Sequence, residues 1–167
     1  MIEFYRSSKL LEVPGVVHGF TTRDGGESTG PYRSLNLSLT VDDDRDMVRR
    51  NRALVLNELG RSDARWVSLR QEHGAEVVQV TASAGGSLAA DGLWTRDRNA
   101  AVAVLVADCV PVLFADRSGR TVGAVHAGWR GTRSKIVQVM CKRWRQAGID
   151  LSEVVVAIGP AIGPECF

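Results

Sequence analysis

The sequence predicts a mixed-sheet α/β (α+β) domain with helices packed outside, on three observations. Short uncharged runs rich in Val and Ala recur at residues 101–107 and 121–125, bounded by turn signals, as strands buried on both faces require. Two other segments, near residues 45–60 and 132–147, repeat apolar residues at helical spacing. Strand-like runs outnumber helical ones and the two do not alternate strictly, which points to mixed sheets.

Taken in order, residues 1–17 read as an irregular start, with Pro14-Gly15 turning the chain into a strand at 16–20. A glycine-rich loop follows through Gly25-Gly26 and Gly30-Pro31 and regains order near Leu35-Asn36-Leu37. Such a loop either brings backbone amides and Arg23 to an anion or simply connects two elements at the surface. An acidic run at 42–46 leads into MVRRNRALVLNEL, a helix with Val48, Val55 and Leu59 on one face and Gly60 as its stop. Its Arg49, Arg50 and Arg52 are expected on a solvated face. Strands are expected at 65–71 and 75–80, broken by Glu72-His73-Gly74, where the histidine either points into a cleft or lies satisfied at the surface. A Gly, Ser and Ala-rich loop at 81–90 ends in a turn at Asp91-Gly92 before the extended Leu93-Trp94-Thr95.

The run at 101–107 gives way to Asp108, Cys109 and Pro111. Proline donates no hydrogen bond, so the ladder is expected to break there and leave Cys109 at a bend. The run at 121–125 gives way to His126 and Ala-Gly-Trp-Arg-Gly. Residues 132–147 form one expected helix through Ile136, Val139, Met140 and Trp144, stopped by Gly148. Arg130 and the amides of Gly131 and Thr132 then sit at a helix start, which suits an anion; a capping or salt-bridge role for Arg130 is the alternative. A further buried-type strand is expected at 153–158.

Length and composition fit one soluble domain, residues 1–167, able to bury its own core: 44% of residues are hydrophobic and 24% charged. A formal charge of +2, spread along the chain, argues against nucleic acid or a membrane surface as partner. With no leader-like start and no apolar run near the ~18 residues of a span, the expected location is the cytoplasm. Cys109, Cys141 and Cys166 lack any C-x-x-C pairing and fit reduced thiols, Cys141 as a small apolar residue within a helix.

His73, Cys109 and His126 each follow an apolar extended segment. Imidazole nitrogens and a thiolate suit zinc, with a fourth position left for water. Their spacing carries no local metal signature, and the same residues fit a Cys and His nucleophile pair assisted by Asp108 or His73.

The motifs HGFTTRDGG from His18, SLNLS from Ser34, the acidic run with Asn51-Arg52, QEHG from Gln71, ADCVPVLFAD from Ala107, HAGWRGT from His126 and IGPAIGPECF from Ile158 run nearly end to end. In these the chain resembles the YfiH-type laccase-domain family, formerly described as multicopper polyphenol oxidases and now regarded as purine nucleoside phosphorylases. The resemblance implies mixed sheets sandwiched by helices, a fold shared with a toxin class of cysteine hydrolases. It implies His73, Cys109 and His126 as metal ligands and catalytic centre, with Zn2+ more than copper. It also implies phosphorolysis of adenosine, inosine, guanosine and methylthioadenosine, together with adenosine deamination. Zinc would lower the pKa of a water toward ~7, suiting it to C6 of adenine. Phosphorolysis needs an anion held beneath the ribose, a role assigned to Arg130, with Arg23 and Asn36 as further contacts to phosphate or ribose. Val106 stands where the family usually has threonine, and relatives are expected to continue past G-P-x-I-G-x-x-C with a further helical and strand region that this chain lacks. Two competing readings are a copper polyphenol oxidase, which three histidines in all supply poorly, and a catalytically impaired protein with a peptidoglycan-editing or binding role.

Overall fold

The computed structural model describes residues 2–84 and 88–166. Through them the chain runs β1 (Phe4–Tyr5), α1 (Ser8–Leu11), β2 (Phe20–Thr21), α2 (Arg45–Glu58), β3 (Arg65–Val67), β4 (Val77–Gln79), β5 (Gly92–Thr95), β6 (Ala100–Val102), β7 (Val110–Asp116), β8 (Val122–Ala127), α3 (Trp129–Arg133), α4 (Ile136–Gln146) and β9 (Val154–Ile158). The main sheet has the order β4-β5-β8-β7-β9, with β4 parallel to β5 and every other pairing antiparallel. A parallel pair β3–β6 and an antiparallel pair β1–β2 stand beside it. The mixed α/β fold is therefore as expected. Among the described residues, no helix is long and apolar enough to cross a membrane.

Side-chain alternation along the strands builds a core on each face of the sheet. Trp94, Val112, Phe114 and Val125 meet Ile136, Met140 and Trp144 of α4 on one face. Burying each large side chain there contributes roughly 1.5–3 kcal/mol. Leu93 and Ala124 point the other way, to Val67 and Ala100 of the β3–β6 pair, and Leu10 of α1 covers Ala115, Val155 and Ala157.

Several local expectations are corrected. At the start, β1 and α1 are additional elements, and the strand expected at 16–20 begins only at Phe20. The strands expected at 65–71 and 75–80 shorten to β3 and β4. In the loop expected at 81–90, residues 85–87 lie outside the described residues. Only the first part of 101–107 is strand. Beyond β6 the chain peels away, Val106 is 39% exposed, and the Leu105 backbone pairs with a side chain instead of a strand: its amide donates to Gln71 Oε1 and its carbonyl accepts from Gln71 Nε2, both at 2.7 Å. The ladder does not break at Pro111, which lies inside β7 opposite His126. The amide and carbonyl of one strand residue point the same way, and the Pro111 carbonyl accepts from Gly159. Its missing donor thus faces the β9 side just past Ile158, leaving the β8 ladder intact.

The helix expected at 132–147 is two helices, α3 and α4, because Lys135 takes the left-handed conformation (φ 62°) between them. The strand expected at 153–158 as doubly buried is the sheet edge: Val155 and Ala157 are buried, but Val156 and Ile158 are 44% and 73% exposed.

The acidic run starts α2 as expected, with Asp44 Oδ1 capping the amides of Asp46 and Met47. Of its arginines, Arg49 and Arg50 lie on the expected solvated face and Arg52 does not. Arg49 and Arg50 make exposed ion pairs with Asp46 and Glu27, but Arg52 turns inward, lies over the Trp66 ring and donates through Nε and Nη2 to the Leu37 carbonyl. Burial pushes its guanidinium down to about 10, still charged at neutral pH.

Beside it, Asn51 is fully buried and organises the glycine-rich loop. Its Oδ1 accepts from the Glu27 amide at 2.7 Å, while Nδ2 donates to Ser28 Oγ and the Asn36 carbonyl, both at 2.9 Å. Asn51→Ala strands these buried partners and is expected to cost about 2–3 kcal/mol in urea unfolding, whereas Arg49→Ala should change stability by about 0.5 kcal/mol or less.

Candidate metal centre

The central strand β8 is held between β5 and β7, and its register decides what meets at its end. Gly92 lies opposite Val125, so Asp91 comes level with His126, whose amide donates to the Asp91 carbonyl at 2.7 Å. Val110 lies opposite Ala127, so Cys109, at the expected bend before β7, arrives one step further, beside Gly128. His73 comes from the turn before β4 with φ 58°, a left-handed conformation uncommon for a side-chain residue. That turn is held by one carboxylate. Asp91 Oδ2 accepts from the amides of Glu72 and Gly74 at 3.1 and 2.7 Å, and Oδ1 accepts from the His73 amide at 2.9 Å.

The same Oδ1 lies 2.7 Å from His126 Nδ1, with both side chains buried. Burial alone would raise the Asp91 carboxyl, but the bonds from His126 and the three amides outweigh it and hold the group below the usual carboxylate range. An ionised carboxylate only accepts, so Nδ1 is the donor in this bond and Nε2 is the ring nitrogen left to meet a cation.

One ligand atom from each of His73, Cys109 and His126 lies within 4.8 Å of the other two. The imidazoles meet edge to face, centroids 4.7 Å apart. A tetrahedral ion with bonds of about 2.0–2.3 Å fits between them after side-chain closure of roughly 1 Å. Burial, and then the charges of Asp108 and Asp91, push the Cys109 thiol up. A thiol raised in this way is a weaker free nucleophile, which favours the ligand reading over the Cys and His nucleophile pair. Asp91, not Asp108, is the carboxylate bonded to a histidine; Asp108 is exposed.

The donors open onto a cleft of about 1820 Å³, also lined by Gln71, Arg23 and Asn36. This exceeds the 300–1,000 Å³ of ordinary small-molecule pockets. Arg23 and Asn36 spend polar groups on their own chain: Arg23 donates through Nε and Nη2 to the Arg33 carbonyl, and Asn36 Nδ2 donates to Asp43 Oδ2. Arg130 stands apart from the described cleft lining, exposed on α3 with its guanidinium 5.3 Å from the centroid of the Trp129 ring. The helix begins at Trp129, and the Thr132 amide expected to face an anion donates to the Gly128 carbonyl. Cys141 is half-buried and Cys166 exposed.

Three residues that position the cluster were not among those expected from sequence. Asp91 reads there as half of a turn, although a lone carboxylate directly before the uncharged run Gly92–Thr95 is a usable signal. Gln71 tethers the segment leading to Cys109. Gly128 is where the donors press closest on the backbone: a Cβ there would lie 3.2 Å from both Cys109 Sγ and His73 Cδ2 and 3.6 Å from His126 Cε1.

A family model described as multi-copper polyphenol oxidoreductase laccase matches residues 17–167. The chain is 44% identical over 163 residues to purine nucleoside phosphorylase YlmD of Geobacillus stearothermophilus, covering 92% of this chain and 60% of that protein. It is 38% identical over 154 residues to purine nucleoside phosphorylase YfiH of Escherichia coli, covering 92% and 61%. The crystal structure of YlmD from G. stearothermophilus superposes with a TM-score of 0.88 at 39% identity, covering 98% of this chain and 67% of that one. For the Bacillus licheniformis protein YfiH these values are 0.80, 39%, 89% and 60%. The chain thus spans about three fifths of the length of the curated relatives it matches.

Gly128 has φ −69° and ψ 168°, which alanine adopts without strain. Gly128→Ala is therefore expected to keep the fold by circular dichroism yet weaken the binding of added Zn2+ at least about tenfold in chelator competition, by crowding the Cys109 and His73 side chains.

Proposed function

The chain belongs to the YfiH and YlmD family, described as multi-copper polyphenol oxidoreductase laccase, and on that premise we propose that it is a zinc-dependent purine nucleoside phosphorylase that also deaminates adenosine. The observation that carries the reading is the convergence of His73, Cys109 and His126 from three separate segments, in a chain whose relatives are named purine nucleoside phosphorylases. His73, Cys109 and His126 hold the ion, and Asp91 keeps His126 Nε2 available to it. Zinc bound there supplies a Lewis acid that polarises oxygen and lowers the pKa of a water toward ~7.

In phosphorolysis a phosphate oxygen bonds to C1′ of the ribose as the bond to the purine N9 breaks, and the purine leaves with the electron pair and takes up a proton. Arg130, four residues past His126 and exposed, supplies charge-assisted hydrogen bonds to the phosphate. Arg23 and Asn36, on the cleft wall, take the weaker contacts to phosphate or ribose. Deamination adds water at C6 of adenine and releases ammonia. Adenosine, inosine, guanosine and methylthioadenosine are the substrates proposed, in a cytoplasmic setting. Copper oxidation of phenols fits the residues less well: His18 is the one histidine outside the cluster, and its Nε2 accepts the Ser7 amide at 2.9 Å, so a set of several copper sites lacks imidazoles.

The test is adenosine turnover by metal-analysed protein, with and without phosphate, following adenine and inosine separately. Phosphate-dependent adenine release that falls to background in Cys109→Ala is expected; phenol oxidation with no nucleoside turnover would overturn the reading. Arg130→Ala should raise the KM for phosphate about tenfold, the equivalent of one hydrogen bond to a charged group, with the KM for nucleoside unchanged. An unaltered phosphate dependence would remove Arg130 from the phosphate site.

A further inference from the structure

We propose that Asp91 is a positioning residue whose single carboxylate sets both imidazoles of the cluster before any cation arrives. The inference rests on reading His73, Cys109 and His126 as metal ligands. It starts from an imbalance of burial: Asp91 is 1% exposed and belongs to no Lys or Arg ion pair among the described residues. Burying a carboxylate is costly unless its oxygens are satisfied. Four N–H groups do so here, one from His126 and three from consecutive amides of the turn carrying His73. Both imidazoles therefore hang on one group. Through Oδ1 it chooses the His126 tautomer, and through both oxygens it holds the left-handed His73 backbone that turns the second imidazole toward the first.

Asparagine has nearly the same shape but one acceptor oxygen, and neither orientation restores the pattern. With its oxygen toward His126 and the His73 amide, its NH2 opposes the amides of Glu72 and Gly74, donor against donor. Reversed, its NH2 faces His126 Nδ1 and selects the tautomer protonated at Nε2, which removes the lone pair a cation needs. A carboxylate that merely supported the fold would move neither the tautomer nor the coordination geometry.

The first measurement is the imidazole 15N spectrum of metal-free wild-type protein. His126 is expected as the Nδ1–H tautomer, and finding it as Nε2–H would overturn the proposal without any variant being made. The second is Co2+ titration of wild type and Asp91→Asn, read by visible absorption. The expected result is cation binding weakened about 10- to 100-fold, the range typical of a lost partner behind a metal ligand, with a changed ligand-field spectrum. If wild type binds and Asp91→Asn binds as tightly with the same spectrum, the positioning role falls while the ligand assignment stands. If wild type binds no cation, the ligand assignment falls and takes this proposal with it.

Discussion

The register of three antiparallel strands fixes both the core and the cluster at its end. β8 lies between β5 and β7 with Val125 opposite Gly92 and Val112. Because the side-chain period is two, this register sends Val125 and Ala127 toward α4 and His126 to the other face. A slip of one residue would push an imidazole into the packing around Met140 and Trp144 and strip β8 of its apolar face. The burial that stabilises the sheet therefore also brings Asp91, His126 and Cys109 together. The candidate centre needs no local motif because the ladder supplies the convergence.

That explains which parts were legible in the sequence. His73, Cys109 and His126 could be named because each follows an apolar run and lies in a distinctive motif, although spacing alone could not say that they meet. The α2 helix was legible through its acidic cap and apolar stripe, and β8 through its uncharged run. Asp91 was not, since Asp followed by Gly has the signature of a turn and only the neighbouring strands reveal a buried acceptor. The break at Lys135 was equally hidden: neither Gly nor Pro marks it, and it serves the tertiary need to lay α4 on the sheet while α3 stays over the cluster. Residues 103–106 look like strand because strand and irregular apolar backbone share a composition, and Gln71, whose side-chain amide stands in for a neighbouring strand, sits far away in sequence. Local pattern says little about which strand ends at an edge, so the exposure of Val156 and Ile158 in β9 was not readable either.

Asn51 and Asp91 solve the same problem in two chemistries. Each is a short polar side chain with almost no exposed surface, and each gathers backbone groups of a loop that has little apolar surface of its own. The amide both donates and accepts, and so suits a loop that presents carbonyls together with an N–H. The carboxylate only accepts, and so suits a turn that presents three consecutive N–H groups. Both loops line the cleft, which is thus walled by segments whose shape depends on one buried polar atom group each, in addition to hydrophobic packing.

The exposure of Trp129 gives the protein an optical property. Of the four tryptophans, Trp94 and Trp144 are buried and Trp66 is half-buried beside Arg52, while Trp129 is 56% exposed. Its indole is the one that water-borne quenchers reach first, so the intrinsic fluorescence divides into a shielded component from the core and an accessible component from α3. The accessible emitter is one residue from Gly128, against which all three donor side chains pack. Ultraviolet emission from the unlabelled chain therefore carries a local signal from the rim of the cluster, separable from the signal of the core by quenching alone.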